Sequence, residues 1–335
     1  MRPIFHPRLV NDAYGDPGLY VEFLFEKRAL LFDLGELRAL APRKLLRISH
    51  IFVSHTHMDH FAGFDHLLRV CLGRDKRLSL FGPPGFAAQV EHKLAAYTWN
   101  LVQSYPADFT VEVTEVHPEG SALRAEFHCR EAFQRRESET LLIKDGELLD
   151  ENTVRVRTVF LDHKIPCLAF TLEEKQHVNV WKNRLEEMDL SVGPWLHELK
   201  KAVMRGAPDD TLLQVQWRAG DTVQEKYLPL RVLKENILRI VPGQKITYVT
   251  DVVYHAANAK KIVELARGSD YLFIEATFMQ QDMAHASAKY HLTAHQAGTL
   301  ARLSGAQRVI PFHFSPKYAG QAELLRQELQ SAFMA

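Results

Sequence analysis

His55-Thr56-His57-Met58-Asp59-His60 is the stretch that most restricts what this chain can become. It follows Ile48–Ser54, an apolar run rich in β-branched residues that reads as a strand. In extended backbone, residues two apart share a side, so His55 and His57 point together. A turn then brings Asp59 and His60 round from another direction. Four metal-competent side chains thus converge from six consecutive residues. Imidazole nitrogen and carboxylate oxygen suit zinc, and also manganese or iron. His163, Asp251, Glu275 and His313 each end an apolar run in the same manner, after Leu161-Asp162, Thr247–Thr250, Leu272–Ile274 and Val309–Phe312. In open α/β sheets, sites gather at the carboxyl ends of strands. Alone, each of these is an ordinary polar group. Beside the histidine cluster, His163, Asp251 and His313 are expected ligands.

The rest of the chain supplies a frame for such a site. Leu19–Phe25 and Ala29–Phe32 read as a strand pair turning at Glu26-Lys27-Arg28. The strand Arg77–Phe81 runs into the turn Gly82-Pro83-Pro84-Gly85. A helix follows with Phe86, Val90, Leu94 and Tyr97 on one face. Leu141–Leu149 reads as a hairpin through Asp145-Gly146, and Val154–Leu161 as a strand. Later, strands at Lys245–Thr250, Tyr271–Ile274 and Arg308–Phe312 alternate with two helices. The first is expected to be capped by Asn258 and to end at Gly268. The second opens on the capping box Thr293-Ala294-His295-Gln296 and ends near Gly305. Strands alternating with helices predict an α/β layer architecture, with antiparallel strands added early.

Residues 173–210 differ in character. Lys175, Lys182, Arg184, Lys200, Lys201 and Arg205 surround Trp181 and Trp195, and two short helices are expected around Ser191-Val192-Gly193-Pro194. This stretch reads as an excursion from the core. Over the whole chain, 41 basic residues offset 41 acidic ones. Global attraction to nucleic acid or membrane is therefore not encoded, although a local basic patch stays open. Cys71, Cys129 and Cys167 are too few and too scattered for a disulfide framework or a cysteine-based zinc cluster. They read as reduced thiols in a cytoplasmic protein. No signal peptide and no run near the ~18 apolar residues of a membrane span is expected. The remaining histidines, His285 among them, read as surface or structural groups.

The His-x-His-x-Asp-His motif resembles that of the metallo-β-lactamase superfamily. Leu80-Phe81-Gly82-Pro83-Pro84-Gly85, Asp162-His163-Lys164-Ile165-Pro166-Cys167, Glu275-Ala276-Thr277-Phe278, His291-Leu292-Thr293 and His313-Phe314-Ser315-Pro316-Lys317-Tyr318 follow in order. That set is similar to one branch, ribonuclease Z, from about Leu19 to Tyr318. The resemblance implies an α/β fold of the αββα sandwich type, two mixed β-sheets flanked by helices. It implies a single domain over 1–335 with an arm-like helical insertion at 173–210. It implies a dinuclear centre in which His55, His57 and His163 hold one Zn2+, Asp59, His60 and His313 hold the other, and Asp251 bridges them. Mn2+ or Fe2+ suits the same donors. A hydroxide shared by the two ions would attack a phosphodiester.

The branch implies cutting on the 3′ side of precursor tRNA, a homodimer, and no membrane partner. Asp59 would orient the nucleophile, and Glu275 with His291 would protonate the leaving oxygen. Asp33, within Leu31-Phe32-Asp33-Leu34-Gly35, either orients a ligating histidine or forms a turn. Ser315 and Lys317 either contact a substrate phosphate or shape the turn at Pro316. The arm either grips RNA, with Trp181 or Trp195 stacking on a base, or packs on the core or a partner chain. The segment Phe5–Gly18 departs from the branch pattern, as does Thr250 before Asp251. This leaves open a hydrolase of small esters, lactones or sulfate esters with the same metals. A scaffold with a structural metal is disfavoured, because one closed four-coordinate site needs fewer ligands.

Overall fold

The computed structural model describes residues 4–24, 26–219 and 222–335. Phe25, the expected end of the first long strand, lies outside them. Two compact units are present. Of the described residues, the larger takes in those from Ile4 to Leu148, Val156–Leu172 and Lys245–Ala335; the smaller takes in Leu149–Arg155 and Glu173–Gln244.

Eight strands lie side by side in chain order in the first sheet of the larger unit: β1 (Phe5–Leu9), β2 (Leu19–Phe23), β3 (Ala29–Phe32), β4 (Ile48–Phe52), β5 (Arg77–Gly82), β6 (Thr110–Val116), β7 (Ser121–His128) and β8 (Arg135–Leu142). The pairs from β3 to β6 are parallel, and antiparallel pairs flank them on both sides. Every residue of β3 is buried, as expected of a strand covered on both faces. Helices Phe64–Cys71 and Phe86–Ala95 cover one face with Phe64, Leu67, Leu68, Phe86, Val90 and Leu94. Tyr97, expected on that helical face, falls beyond the last turn and is exposed.

The second sheet opens with β9 (Glu147–Asp150), β10 (Val154–Asp162) and β11 (Pro166–Glu174). The hairpin expected over Leu141–Leu149 is not formed, because β8 ends in the first sheet and β9 starts the second. Asp145 (φ 52°) and Gly146 (φ 72°) make the turn that carries the chain from one sheet to the other. A Cβ on Gly146 would stand 2.3 Å from the Thr158 carbonyl oxygen, so the turn sits hard against β10. The turn chemistry is visible locally; the sheet each arm joins is not.

After β11 the chain makes the smaller unit. There β12 (His177–Val180) pairs with β15 (Leu238–Val241), and β13 (Leu212–Ala219) with β14 (Thr222–Pro229), both antiparallel. The two expected short helices are Lys182–Glu187 and Trp195–Met204. The excursion does not close near residue 210. The β13–β14 hairpin and helix Leu230–Ile237 bury Val215, Leu230, Leu233 and Ile237 against Leu185, Trp195 and Leu199, giving this stretch its own small core. Trp195 is buried there and its indole N–H donates to the Ser191 carbonyl at 3.1 Å, so it offers no stacking face. Trp181 is 45% exposed.

The second sheet then resumes with β16 (Lys245–Val249), β17 (Tyr271–Glu275) and β18 (Val309–Phe312), all parallel, in the order β18-β17-β16-β11-β10-β9. Helices Ala256–Ala266 and Ala294–Ser304 connect them and bury Ile262, Leu265, Leu300 and Ala301 in a core with Val249, Leu272 and Ile274. The Thr293–Gln296 capping box is formed. The other helix is capped by His255 rather than Asn258: His255 Nδ1 accepts the Asn258 N–H at 3.2 Å. The Asn258 amide instead exchanges hydrogen bonds with the Asp162 backbone, N–H and carbonyl, each at 3.1 Å. It thereby ties the end of β10 to this helix. Helix Ala322–Met334 packs so closely on Ala294–Ser304 that a Cβ on Gly298 would meet the Leu329 carbonyl oxygen at 2.2 Å.

The two sheets of the larger unit meet through aromatic rings. Phe32 and Phe52 of the first sheet contact Phe170 of the second at 5.7 and 5.8 Å between centroids. This is the mixed, helix-flanked sandwich that the resemblance implies. Among the described residues, no helix is long and apolar enough to cross a membrane.

Candidate metal centre

Beyond β4 the chain stays extended to His57, which stands at the N-cap position of the one-turn helix Met58–Phe61. His55 and His60 are wholly buried, whereas Asp59 is half-buried. The ends of β10, β16 and β18 deliver His163, Asp251 and His313 to the same place. His313 sits in the left-handed region (φ 60°), a conformation unusual for a residue with a side chain. Ligand atoms of His55, His57, His163 and Asp251 lie within 4.8 Å of one another, and so do those of Asp59, His60 and His313.

Asp251 joins the two groups. Its Oδ2 stands 3.8 Å from His55 Nε2 and 3.5 Å from His163 Nε2. Its Oδ1 stands 3.5 Å from His60 Nε2 and 3.1 Å from His313 Nδ1. Asp59 Oδ2 is 3.5 Å from His60 Nε2 and 3.1 Å from His313 Nε2.

The backs of the rings are engaged. His55 Nδ1 lies 3.0 Å from Ser54 Oγ, and His60 Nδ1 lies 2.9 Å from Asp33 Oδ2. His163 Nδ1 donates to the Tyr290 carbonyl at 2.8 Å. This network assigns the proton to Nδ1 in each ring and turns the Nε2 lone pair inward. His55 Nε2, His60 Nε2 and His313 Nδ1 are buried without a hydrogen-bond partner among the described residues. Buried nitrogens facing a shared carboxylate in this way fit divalent cations.

The electrostatics agree. Burial, reinforced by His60, pushes His55 down to about 2, so it stays neutral and ready to ligate. Burial opposes protonation of His60 as well, yet Asp251 and Asp33 raise it to about 10. Burial opposes ionisation of Asp59, but the His313 hydrogen bond and the neighbouring imidazoles bring it to about 2. The carboxylates therefore hold negative charge beside these imidazoles, which a bound divalent cation would offset.

Asp33 is wholly buried with φ 60°. It accepts from Ser54 N–H at 2.7 Å, Ser54 Oγ–H at 2.9 Å and His60. Glu275 accepts Val252 N–H at 2.8 Å and the Thr277 hydroxyl, and lies 3.0 Å from His291 Nδ1. Burial opposes protonation of His291, but Glu275 raises it above its ordinary value. His291 opens on a cleft also lined by Tyr14, Asp16, Asp59, His285, Lys289, His313 and Ser315. Lys317 is drawn away to Asp282 at 2.7 Å, while Ser315 caps the turn by accepting Lys317 N–H at 3.3 Å. Tyr14, Asp16, His285 and Lys289 carry no sequence signal, because only the folded loops bring them to the cleft. Ser54 was flagged by nothing except its place before His55.

Residues 23–140 and 236–314 match the β-lactamase superfamily domain. The ribonuclease Z of Deinococcus radiodurans is 32% identical, covering 89% of this chain and 86% of that protein. The chain belongs to the ribonuclease Z branch of the β-lactamase superfamily. As a ribonuclease Z relative it is a metal-dependent hydrolase. The ribonuclease Z of Limosilactobacillus reuteri is 28% identical over 90% of this chain and 83% of its own length. The fold agrees with that of human tRNase Z, short form (TM-score 0.54, 19% identity, 93% of each chain). It agrees equally with the metallo-β-lactamase fold protein YhfI from Bacillus subtilis (TM-score 0.55, 14% identity, 98% and 95% covered).

Proposed function

We propose that this chain is a dizinc phosphodiesterase that cuts precursor tRNA on its 3′ side. The division of the Asp251 oxygens between two histidine sets carries the reading. His55, His57 and His163 would hold one zinc, Asp59, His60 and His313 the other, with Asp251 between them. Mn2+ or Fe2+ would satisfy the same donors. Two such ions, when bound, supply a nucleophile near neutral pH and neutralise charge on a phosphodiester.

The protein's own groups do the rest. Asp59, half-exposed at the cleft, orients the attacking oxygen. Glu275 engages His291 Nδ1 and leaves Nε2 to give a proton to the leaving oxygen. Lys289 and His285 on the cleft wall, and Ser315 beside them, contact flanking phosphates. Lys317, committed to Asp282, serves the turn instead. Trp181 and the basic side chains of the smaller unit grip RNA. Action as a homodimer in the cytoplasm completes this reading.

A second reading keeps the centre but hydrolyses a small ester, lactone or sulfate ester. It is supported by Tyr14, Gly15 and Asp16, which line the cleft from the segment that departs from the branch pattern. One assay separates the two. Zinc-loaded protein and its His60→Ala variant are given a 3′-extended precursor tRNA, and product ends are sequenced. Cleavage near the acceptor stem, lost in the variant, supports the first reading. Ester turnover without RNA cleavage supports the second.

A further inference from the structure

Tyr248 is the last residue but one of β16, three residues before Asp251, where a tyrosine ordinarily does nothing but fill core. Its ring is buried, stacked on Phe312 at 5.1 Å and 17° and lying 6.0 Å from Phe32. Its hydroxyl, however, crosses from the second sheet to the first and donates to Asp33 Oδ2 at 2.9 Å. The same oxygen takes Ser54 Oγ–H and His60 Nδ1, each at 2.9 Å. We infer that Tyr248 is a positioning residue of the metal centre, holding the Asp33 carboxylate so that His60 keeps its Nε2 on the side of Asp251.

A buried carboxylate needs several donors to stay charged and fixed, and among the described residues Asp33 has four: Ser54 N–H, Ser54 O–H, His60 N–H and Tyr248 O–H. Of these, only Tyr248 comes from the second sheet. Because the chain runs on from Tyr248 to Asp251 within three residues, the tyrosine hydroxyl links the segment that delivers Asp251 to the Asp33 carboxylate that holds His60. Burial and the adjacent Asp33 charge keep the phenol protonated, so it remains a donor. Taking the hydroxyl away leaves a buried lone pair unmet and lets Asp33 and the ring of His60 shift together.

This inference rests on the metal centre proposed above and not on its substrate. Zinc binding by the unaltered protein, measured by chelator competition, checks that foundation first. Tyr248→Phe keeps the ring and its stacking. It is expected to weaken zinc binding about tenfold or more, the range seen when a ligand's supporting partner is lost. The visible absorption of the cobalt-loaded protein should change, and kcat should fall while KM holds.

Thr247→Val is the control for stability alone. Thr247 is buried in the same strand and bonds Ser269 Oγ at 2.8 Å and Thr171 Oγ1 at 3.2 Å, away from the site. Tyr248→Phe that lowers the melting temperature as Thr247→Val does, with zinc affinity and cobalt spectrum unchanged, would overturn the inference. So would additivity: in an Asp33→Asn background, Tyr248→Phe should add no further loss of zinc affinity, because the two act through one contact.

Discussion

At the scale of single residues, Asp251 and His291 show how position decides role. Both stand near His313, and the ligand atoms of the three lie within 4.8 Å of one another. Asp251 faces imidazole nitrogens with both oxygens, whereas His291 Nδ1 is held by Glu275 at 3.0 Å and stands 3.9 Å from Asp251. The His291 nitrogen nearest Asp251 is thus taken by Glu275, which keeps it from ligating and holds the ring to carry a proton on its other nitrogen. His291→Ala is therefore expected to lower kcat by roughly a hundredfold or more, as loss of a general acid does, with metal content unchanged. Metal analysis beside turnover checks this. Loss of metal together with activity would make His291 a ligand instead.

Among the elements, β2 illustrates a charge serving the frame rather than the chemistry. Glu22 interrupts an otherwise apolar strand, and its carboxylate takes Lys44 Nζ at 2.8 Å and the Arg47 guanidinium. The Lys44 hydrogen bond, helped by both positive charges and opposed by burial, holds the carboxyl below its ordinary value. A carboxyl depressed on folding stabilises the protein fully above the unfolded value, about 4.3, and that gain disappears as pH falls through the folded value. Glu22→Gln should thus cost about 1 kcal/mol near pH 7, the size of a partly exposed ion pair. The gap from the unaltered protein should close on acidification below about pH 4. Chemical denaturation at several pH values measures it, and a gap that does not vary with pH would assign the loss to packing instead.

The whole molecule divides its labour. One unit carries the proposed metal centre and the cleft; the other, with its own small core, carries Trp181 on its surface beside Arg184, Asn236 and Arg239. An exposed indole among guanidinium groups is the composition of a stacking platform for single-stranded nucleic acid. Trp181→Ala is expected to raise KM for precursor tRNA about tenfold, the worth of one stacked base. Hydrolysis of a small phosphodiester by the same variant should be unchanged. Equal loss on both substrates would place Trp181 in folding and not in binding.

The gathering of His55, His57, Asp59, His60, His163, Asp251 and His313 is legible in the sequence because its signal is local. Six adjacent residues bring four donors together, and the other donors stand where apolar strands end, a place set by the alternation of short-range structure. The capping box at Thr293 was legible for the same reason. What escaped depends on partners far away in the chain. Tyr248 finds Asp33 across 215 residues, and His163 finds the Tyr290 carbonyl across 127. Asn258 has a capping residue's composition, yet buried backbone at Asp162 claims its side chain. The turn at Asp145-Gly146 was plain, but its second arm pairs in another sheet. The excursion at 173–210 was seen, while its extent to Gln244 follows from which side chains share a core. Residue types and spacings alone point to a metal-dependent hydrolase, because metal donors are few residue types at fixed short spacings. The tertiary structure alone decided what holds those donors in place and what lines the cleft, because hydrogen bonds and packing act between surfaces that meet only when the sheets close on each other.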